Sequence, residues 1–224
     1  MTSLTEFTSD VNLSGGVGDA PAVEPSGTRT ATRLRVLWRG MGFHTFPVDR
    51  ADALEDESRY RFCSREELVA ALALDGTETV ADLGSGTGFY TDDVAPFAGS
   101  TYAVDVQSEM HDIYREKGAP ENVSFVTAAV SDLPFDDDEL DAAYSTMTHH
   151  EYADAAGLAE LQRVLAPGGR LVTVDWSATG AGEDGPPTDE RFALADAVAD
   201  LEAAGFTVER ASERPETFLL VATA

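Results

Sequence analysis

The chain of 224 residues has one lysine, Lys117, and one cysteine, Cys63. A lone cysteine excludes an intrachain disulfide. No apolar run approaches the roughly 20 residues that cross a bilayer, so no membrane partner is expected. A basic stretch followed by an apolar one, the mark of a secretory signal, is missing from the N-terminus, and the protein reads as cytoplasmic. Bases of any kind are scarce: 15 Lys and Arg stand against 41 Asp and Glu, a formal net charge of -26. That balance disfavours nucleic acid as a partner, because phosphates call for Lys and Arg. One local exception holds Arg29, Arg33, Arg35 and Arg39 with Trp38, and it reads as a flexible leader or irregular helix rather than a basic arm.

Acids occur in every segment from Asp49 onward, with no single acidic tail. Acidity spread over a whole surface suits concentrated salt, where self-repulsion is screened. The sequence reads as halophilic, in the haloarchaeal manner.

The apolar fraction, 43%, is ordinary and is enough to bury the core of one α/β domain. Residues 1–40 are rich in Ser, Thr, Gly, Pro and acids, and are expected to be a disordered extension. Residues 41–78 read as a lid or cap, and 79–224 as the catalytic, ligand-binding domain. Strands are predicted over 79–84, 101–106, 122–128, 141–146 and 170–176, with 206–210 and 217–223 pairing as an antiparallel end. A helix opens at Ser64, where Ser64 and Glu67 have capping-box spacing. Further helices are predicted over 90–98, 108–118, 153–165 and 189–205, the third stopped by Pro167-Gly168-Gly169. Alternating strands and helices, with strands apolar on both faces, predict a parallel sheet covered on both sides.

The stretch "VADLGSGTGFY" (80–90) places Gly84, Gly86 and Gly88 between a strand and a helix. In a doubly wound sheet that is where ligands bind, and glycines let a ligand touch backbone. Asp105 closes the next strand, where an acid accepts both hydroxyls of a ribose; its other reading is a cap for the helix near Ser108. The loop is not the G-x-G-x-x-G of dinucleotide enzymes. Asp82, Asp92 and Asp93 around it suit a cation better than a pyrophosphate.

Together "VADLGSGTGFY", "YAVDVQSEM", "SDLPFDDDELDAAYS" and "LAELQRVLAPGGRLVTVDW" resemble the class I S-adenosylmethionine-dependent methyltransferases. The resemblance spans residues 60–223 and is nearest to the small-molecule branch that includes the ubiquinone/menaquinone-type enzymes. It implies a doubly wound, seven-stranded Rossmann-like sheet, mostly parallel with an antiparallel last strand. It implies S-adenosylmethionine as cofactor and a small molecule as methyl acceptor. Asp82, Gly84, Ser85, Gly86 and Gly88 would hold the methionine end, and Asp105 the ribose. Val106 or Met110 would pack on adenine. In many relatives an acid four residues before the "L-P-F" segment meets the adenine amino group. Ala129 stands there in this chain, so Asp132 or backbone takes that part.

A sulfonium methyl is already activated, so catalysis asks for in-line positioning and, for some nucleophiles, proton removal. His149, His150 and Glu151 follow the fourth strand, on the rim of the expected site. Either histidine is a candidate general base; the other reading is a helix cap or packing against Tyr152. Adjacent histidines point in different directions, so no metal site is predicted. His44, Tyr60 and Cys63 are candidates for lining the acceptor side. Two other classes stay open: a catalytically inactive regulatory domain of the same fold, and a nicotinamide oxidoreductase, which the glycine spacing disfavours. A methyltransferase acting on a macromolecule is disfavoured by the charge.

Overall fold

A computed structural model gives the fold and describes residues 45–224. The expectations for residues 1–40, for the arginine-rich segment and for His44 lie outside these residues. Seven strands form one sheet: β1 Thr79–Leu83, β2 Ser100–Asp105, β3 Val123–Thr127, β4 Leu140–Thr146, β5 Leu165–Trp176, β6 Thr207–Glu213 and β7 Thr217–Thr223. Their order is β3-β2-β1-β4-β5-β7-β6. β7 runs antiparallel to both neighbours, and every other pairing is parallel. The helices are α1 Arg65–Leu72, α2 Phe89–Val94, α3 Ser108–Lys117, α4 His149–Tyr152, α5 Ala155–Val164 and α6 Leu194–Ala203. No helix among the described residues is long and apolar enough to cross a membrane.

The strands divide their side chains between two cores, as a period of two requires. Ala81, Leu83, Ala143, Phe218 and Leu220 pack with α5 and α6 through Leu158, Leu161 and Leu201. Val80, Tyr144, Val172, Leu219 and Val221 pack on the other face with Leu68, Leu72, Tyr90 and Val94 of α1 and α2. Burying a side chain of this size contributes about 1.5–3 kcal/mol, which is why both faces of the sheet stay covered.

Several predicted boundaries move. The helix expected over 153–165 ends at Val164, and Pro167-Gly168-Gly169 lies within β5 rather than acting as a stop. Leu165 already pairs with Leu140 across a register shift, so sheet pairing claims the segment. The helix expected from residue 189 begins at Leu194. Arg191 and Phe192 are taken up instead by a buried ion pair with Glu216 and a bridge from Phe192 to Ser177. Ser64 caps α1 as predicted, accepting from the Glu67 N–H at 3.2 Å.

The chain reverses its direction of winding between β1 and β4, which lie side by side. Their carboxyl ends are the topological switch, and both candidate motifs sit there.

Gly88 shows how tightly this point is built. Its φ is +83°, and a Cβ there would overlap the Tyr114 ring. Gly118 has φ +96° but open space around it. Gly88→Ala is expected to cost about 1–3 kcal/mol for overpacking and a further 1–2 kcal/mol for the left-handed backbone. Gly118→Ala should incur only the second cost. Thermal unfolding of the two variants checks this; equal losses would show that Tyr114 simply moves aside.

Candidate functional site

Asp82, the next-to-last residue of β1, has 1% of its surface exposed. Its Oδ2 accepts from the Thr91 hydroxyl at 2.6 Å, while Oδ1 is buried without a partner. Burial pushes its carboxyl up to about 7, against the pull of Thr91. Tyr144, opposite it on β4, has a buried hydroxyl without a well-formed hydrogen bond, close enough to the Asp82 carboxylate to favour its charged form, and the Ser85 hydroxyl is buried without a partner. The Arg59 guanidinium lies over the rings of Phe89 and Tyr90, 5.0 and 5.2 Å from their centroids. The head of the glycine loop thus gathers orphaned oxygens, an acid near its titration point and an aromatic wall.

Gly84, Gly86 and Gly88 all have positive φ. Asp105, at the end of β2, ties this loop down: its Oδ2 accepts from Gly86 N–H at 2.8 Å and its Oδ1 from Gln107 N–H at 2.9 Å. Each carboxylate oxygen keeps further acceptor capacity for a ligand hydroxyl. Next to it Val106 is 38% exposed, one of only two large hydrophobic side chains so open among the described residues. Met110, on α3, is buried instead. Ala129 is half-buried and Asp132 is exposed beyond it.

A 3-10 segment, Val48–Glu55, lies over the loop. The Thr87 hydroxyl donates to Glu55, and Lys117 reaches both Glu55 at 3.1 Å and Asp92 at 2.9 Å. Farther along, Arg61 pairs with Asp184 at 2.8 Å and Phe62 packs edge-on against Trp176, 4.8 Å between centroids. The segment therefore touches both the glycine loop and the region after β5. Tyr60 donates to Asp93 at 2.8 Å, on the side of α2. Cys63 is buried in the core, and burial pushes its thiol up to about 11. The expectation that Cys63 lines an acceptor site is corrected: it is a packed, unreactive thiol.

After β4 the chain turns through Met147, a non-glycine residue at φ +60°, whose N–H donates to Val174 O at 2.7 Å. The short helix α4 follows. It sends the two histidines apart. His149 is fully buried, ringed by Tyr152, Phe192 and Phe218 at centroid distances of 5.5, 5.3 and 6.1 Å. Neither of its nitrogens has a hydrogen-bond partner, and burial pulls its pKa down to about 4. His150 instead meets Asp175, the acid at the end of β5, with Nδ1 3.0 Å from both carboxylate oxygens. Glu151 lies next to it, pushed up to about 7 by burial. Among the described residues no group of three or more His, Cys, Asp or Glu is placed to hold a metal ion.

Residues 81–173 match the family described as Methyltransferase domain. A demethylmenaquinone methyltransferase of Clavibacter sepedonicus is 37% identical over 102 residues, which cover 45% of this chain and 42% of that protein. A ubiquinone/menaquinone biosynthesis C-methyltransferase of Shewanella frigidimarina is 33% identical over 126 residues, covering 53% and 50%. The chain spans about half the length of the curated relatives it matches. A crystal structure of a SAM-dependent methyltransferase from Aquifex aeolicus superposes with a TM-score of 0.72 at 29% identity, over 80% of this chain and 98% of that one. The fold is the Rossmann-like fold of the class I methyltransferases, and residues 81–173 match the methyltransferase domain. A Haloferax volcanii methyltransferase, solved in complex with the Trm112 activator, shares the fold at 21% identity and a TM-score of 0.66.

Measured on this methyltransferase fold, the predicted residues separate into two sets. Asp82, Gly84, Ser85, Gly86, Gly88, Asp105 and Val106 converge around the ends of β1 and β2. His150 and Glu151 stand after β4, beside the end of β5. His149 faces the core and not the pocket mouth, which corrects its reading as a possible base: a fully enclosed ring reaches no acceptor. Asp175 was missed. Its signal was available, because Asp82, Asp105 and Asp175 each stand at the last or next-to-last position of an apolar strand, β1, β2 and β5.

His149 carries a stability consequence. Its folded-state pKa is depressed, so the protein keeps its full contribution above the ordinary value of 6.5 and loses it as pH falls toward 4. The shift corresponds to about 3 kcal/mol. Asp82 and Glu151, whose carboxyls are raised, act in the opposite direction over the same range, but equally in a variant. Between pH 7 and pH 4, wild type is therefore expected to lose about 3 kcal/mol relative to His149→Phe, read from denaturant unfolding at each pH. A constant difference would show that the ring gains a partner on acidification.

Proposed function

We propose that the chain is an S-adenosylmethionine-dependent methyltransferase acting on a small-molecule acceptor in the cytoplasm, with His150 as general base. The observation that carries the cofactor reading is the set of buried oxygens without a well-formed hydrogen bond, Asp82 Oδ1, Ser85 Oγ and Tyr144 Oη, at the head of the glycine loop. They fit a ligand that brings N–H donors and positive charge, as the methionine end of S-adenosylmethionine does. Asp105 accepts the ribose hydroxyls with its remaining lone pairs. Val106 offers an open apolar surface for a flat base, a part that buried Met110 does not share in this arrangement. With Ala129 at the acid's usual place, Asp132 or backbone meets the adenine amino group.

When bound, the cofactor supplies an activated methyl and a neutral thioether leaving group. The chain has the simpler tasks of excluding water, aligning the acceptor and taking its proton. The segment from Phe46 to Phe62 serves the first as a cap. His150 serves the last. The relatives' printed activities make quinols and phenols the first acceptors to screen.

Asp82 makes the cofactor test specific. Burial raises its carboxyl to about 7, so part of it is protonated at neutral pH. A cation beside it favours the charged form and releases the proton. Calorimetric titration with S-adenosylmethionine in molar salt is expected to show binding whose heat depends on the buffer's own ionisation heat. Adenosine, which lacks the cationic end, should show no such dependence. Absence of binding would sink the reading. Binding without turnover on any acceptor would favour the inactive regulatory domain, the reading that Ala129 supports.

A further inference from the structure

We propose that Asp175 is a positioning residue that holds the His150 ring with Nδ1 protonated, making Nε2 the basic atom of the site, with Glu151 as the group that shares its proton. The inference rests on the reading of His150 as the base.

Asp175 is fully buried at the carboxyl end of β5. Backbone fixes its carboxylate from two sides: the His150 N–H donates to Oδ2 at 2.6 Å and the Trp176 N–H to Oδ1 at 2.8 Å. The ring then meets a carboxylate that is already oriented, with Nδ1 3.0 Å from each oxygen. A carboxylate only accepts, so the neutral ring must carry its hydrogen on Nδ1. The lone pair is left on Nε2. Glu151 Oε1 stands 4.0 Å from Nε2, beyond hydrogen-bond length.

The charges facing the ring come from three elements. Asp175 lies on β5, Glu151 on α4 itself, and Glu190 on the 3-10 turn Thr188–Glu190. Burial opposes charging of His150, but the attraction and hydrogen bond of Asp175, with Glu151 and Glu190 behind them, outweigh it and raise its basicity. Glu151 is raised in turn by burial, with His150 pulling it back. Two neighbouring ionisable groups that act on each other this strongly titrate as a pair. His149, enclosed and neutral, adds no charge.

The arrangement matches the charge balance of methyl transfer. As the acceptor's bond to the methyl carbon forms and the S–CH3 bond breaks, the acceptor's proton passes to Nε2. The positive charge lost from sulfur reappears on the imidazolium, directly against Asp175. Glu151 then takes that proton toward solvent and restores the base. An acceptor bearing an O–H, N–H or acidic C–H uses this device; one with nothing to deprotonate does not.

The test needs no acceptor. The full chain, labelled with 15N-histidine, is titrated by long-range 15N–1H correlation, with His150→Gln assigning the resonance. In wild type the neutral His150 ring is expected as the Nδ1–H tautomer, titrating in two coupled steps. Asp175→Asn is expected to give mixed tautomers and a titration moved to lower pH. Glu151→Gln should keep the Nδ1–H tautomer and collapse the curve to one step. A wild-type Nε2–H tautomer, or an Asp175→Asn variant indistinguishable from wild type, would overturn the proposal and leave Asp175 as a clamp on backbone alone. Should Asp175→Asn not fold, the wild-type tautomer and the Glu151→Gln curve still decide. Cofactor calorimetry is read separately: tautomers as expected without S-adenosylmethionine binding would refute methyl transfer and spare the dyad.

Discussion

Asp105→Ala is expected to weaken S-adenosylmethionine binding by about 30- to 150-fold. A charge-assisted hydrogen-bond pair of the kind Asp105 offers a ribose is worth on the order of 2–3 kcal/mol. The residue acts twice. In the proposed reading it presents lone pairs to the ligand, and it also anchors the glycine loop through the Gly86 N–H. Asp105→Asn retains one acceptor oxygen and should lose an intermediate amount. Calorimetry on the three proteins gives the affinities, and hydrogen exchange at Gly86 and Gln107 separates loop loosening from lost ligand contact. Unchanged affinity in Asp105→Ala would remove it from the ribose site.

A marked rise in melting temperature from dilute buffer to molar potassium chloride is expected for the same protein. Seven strands at roughly 4.8 Å spacing make a sheet about 30 Å across. The Debye length at 0.01 M is about 30 Å, so the acids behind a net charge of -26 repel one another across the whole molecule. At 1 M it falls to about 3 Å and that repulsion is gone. Salt also weakens attractive pairs such as Lys117 with Glu55 and Asp92 or Arg170 with Glu209. Exposed pairs are worth only about 0–1 kcal/mol each and there are few bases to form them, so repulsion decides the sign. A melting temperature indifferent to salt would end the halophilic reading.

The strands of this sheet were legible because buried parallel strands read as short apolar runs closed by turn residues. Their ends were less so. At Leu165 the helical period of α5 and the pairing of β5 compete for the same residues, and only the partner Leu140 settles the contest. Helix α4 is four residues long and has no period to detect. On the cofactor side the glycine loop and Asp105 are neighbours in sequence pattern as well as in space. The proposed acceptor side is assembled from distant parts, His150 after β4 and Asp175 near the end of β5, with the Val48–Glu55 segment proposed as its cap. A pair separated by 25 positions leaves no local pattern, and nothing in "HHEY" says which histidine turns inward.

The place of β7 bears on how the protein is made. It is synthesised after β6 yet lies between β5 and β6, joined to both. A nascent chain that has emerged only as far as β6 therefore has nothing to pair that strand with. The β5 edge from Arg170 to Trp176 stands open meanwhile, an unpaired strand edge of the kind that templates aggregation. The β6–β7 hairpin joins Thr207 to Thr223, whereas seating β7 on β5 joins Arg170 to the same Thr223 from much farther along the chain, the kind of long-range step that is slow relative to hairpin formation. Translation thus leaves Asp175, at the end of that exposed edge, among the last parts of the site to be enclosed.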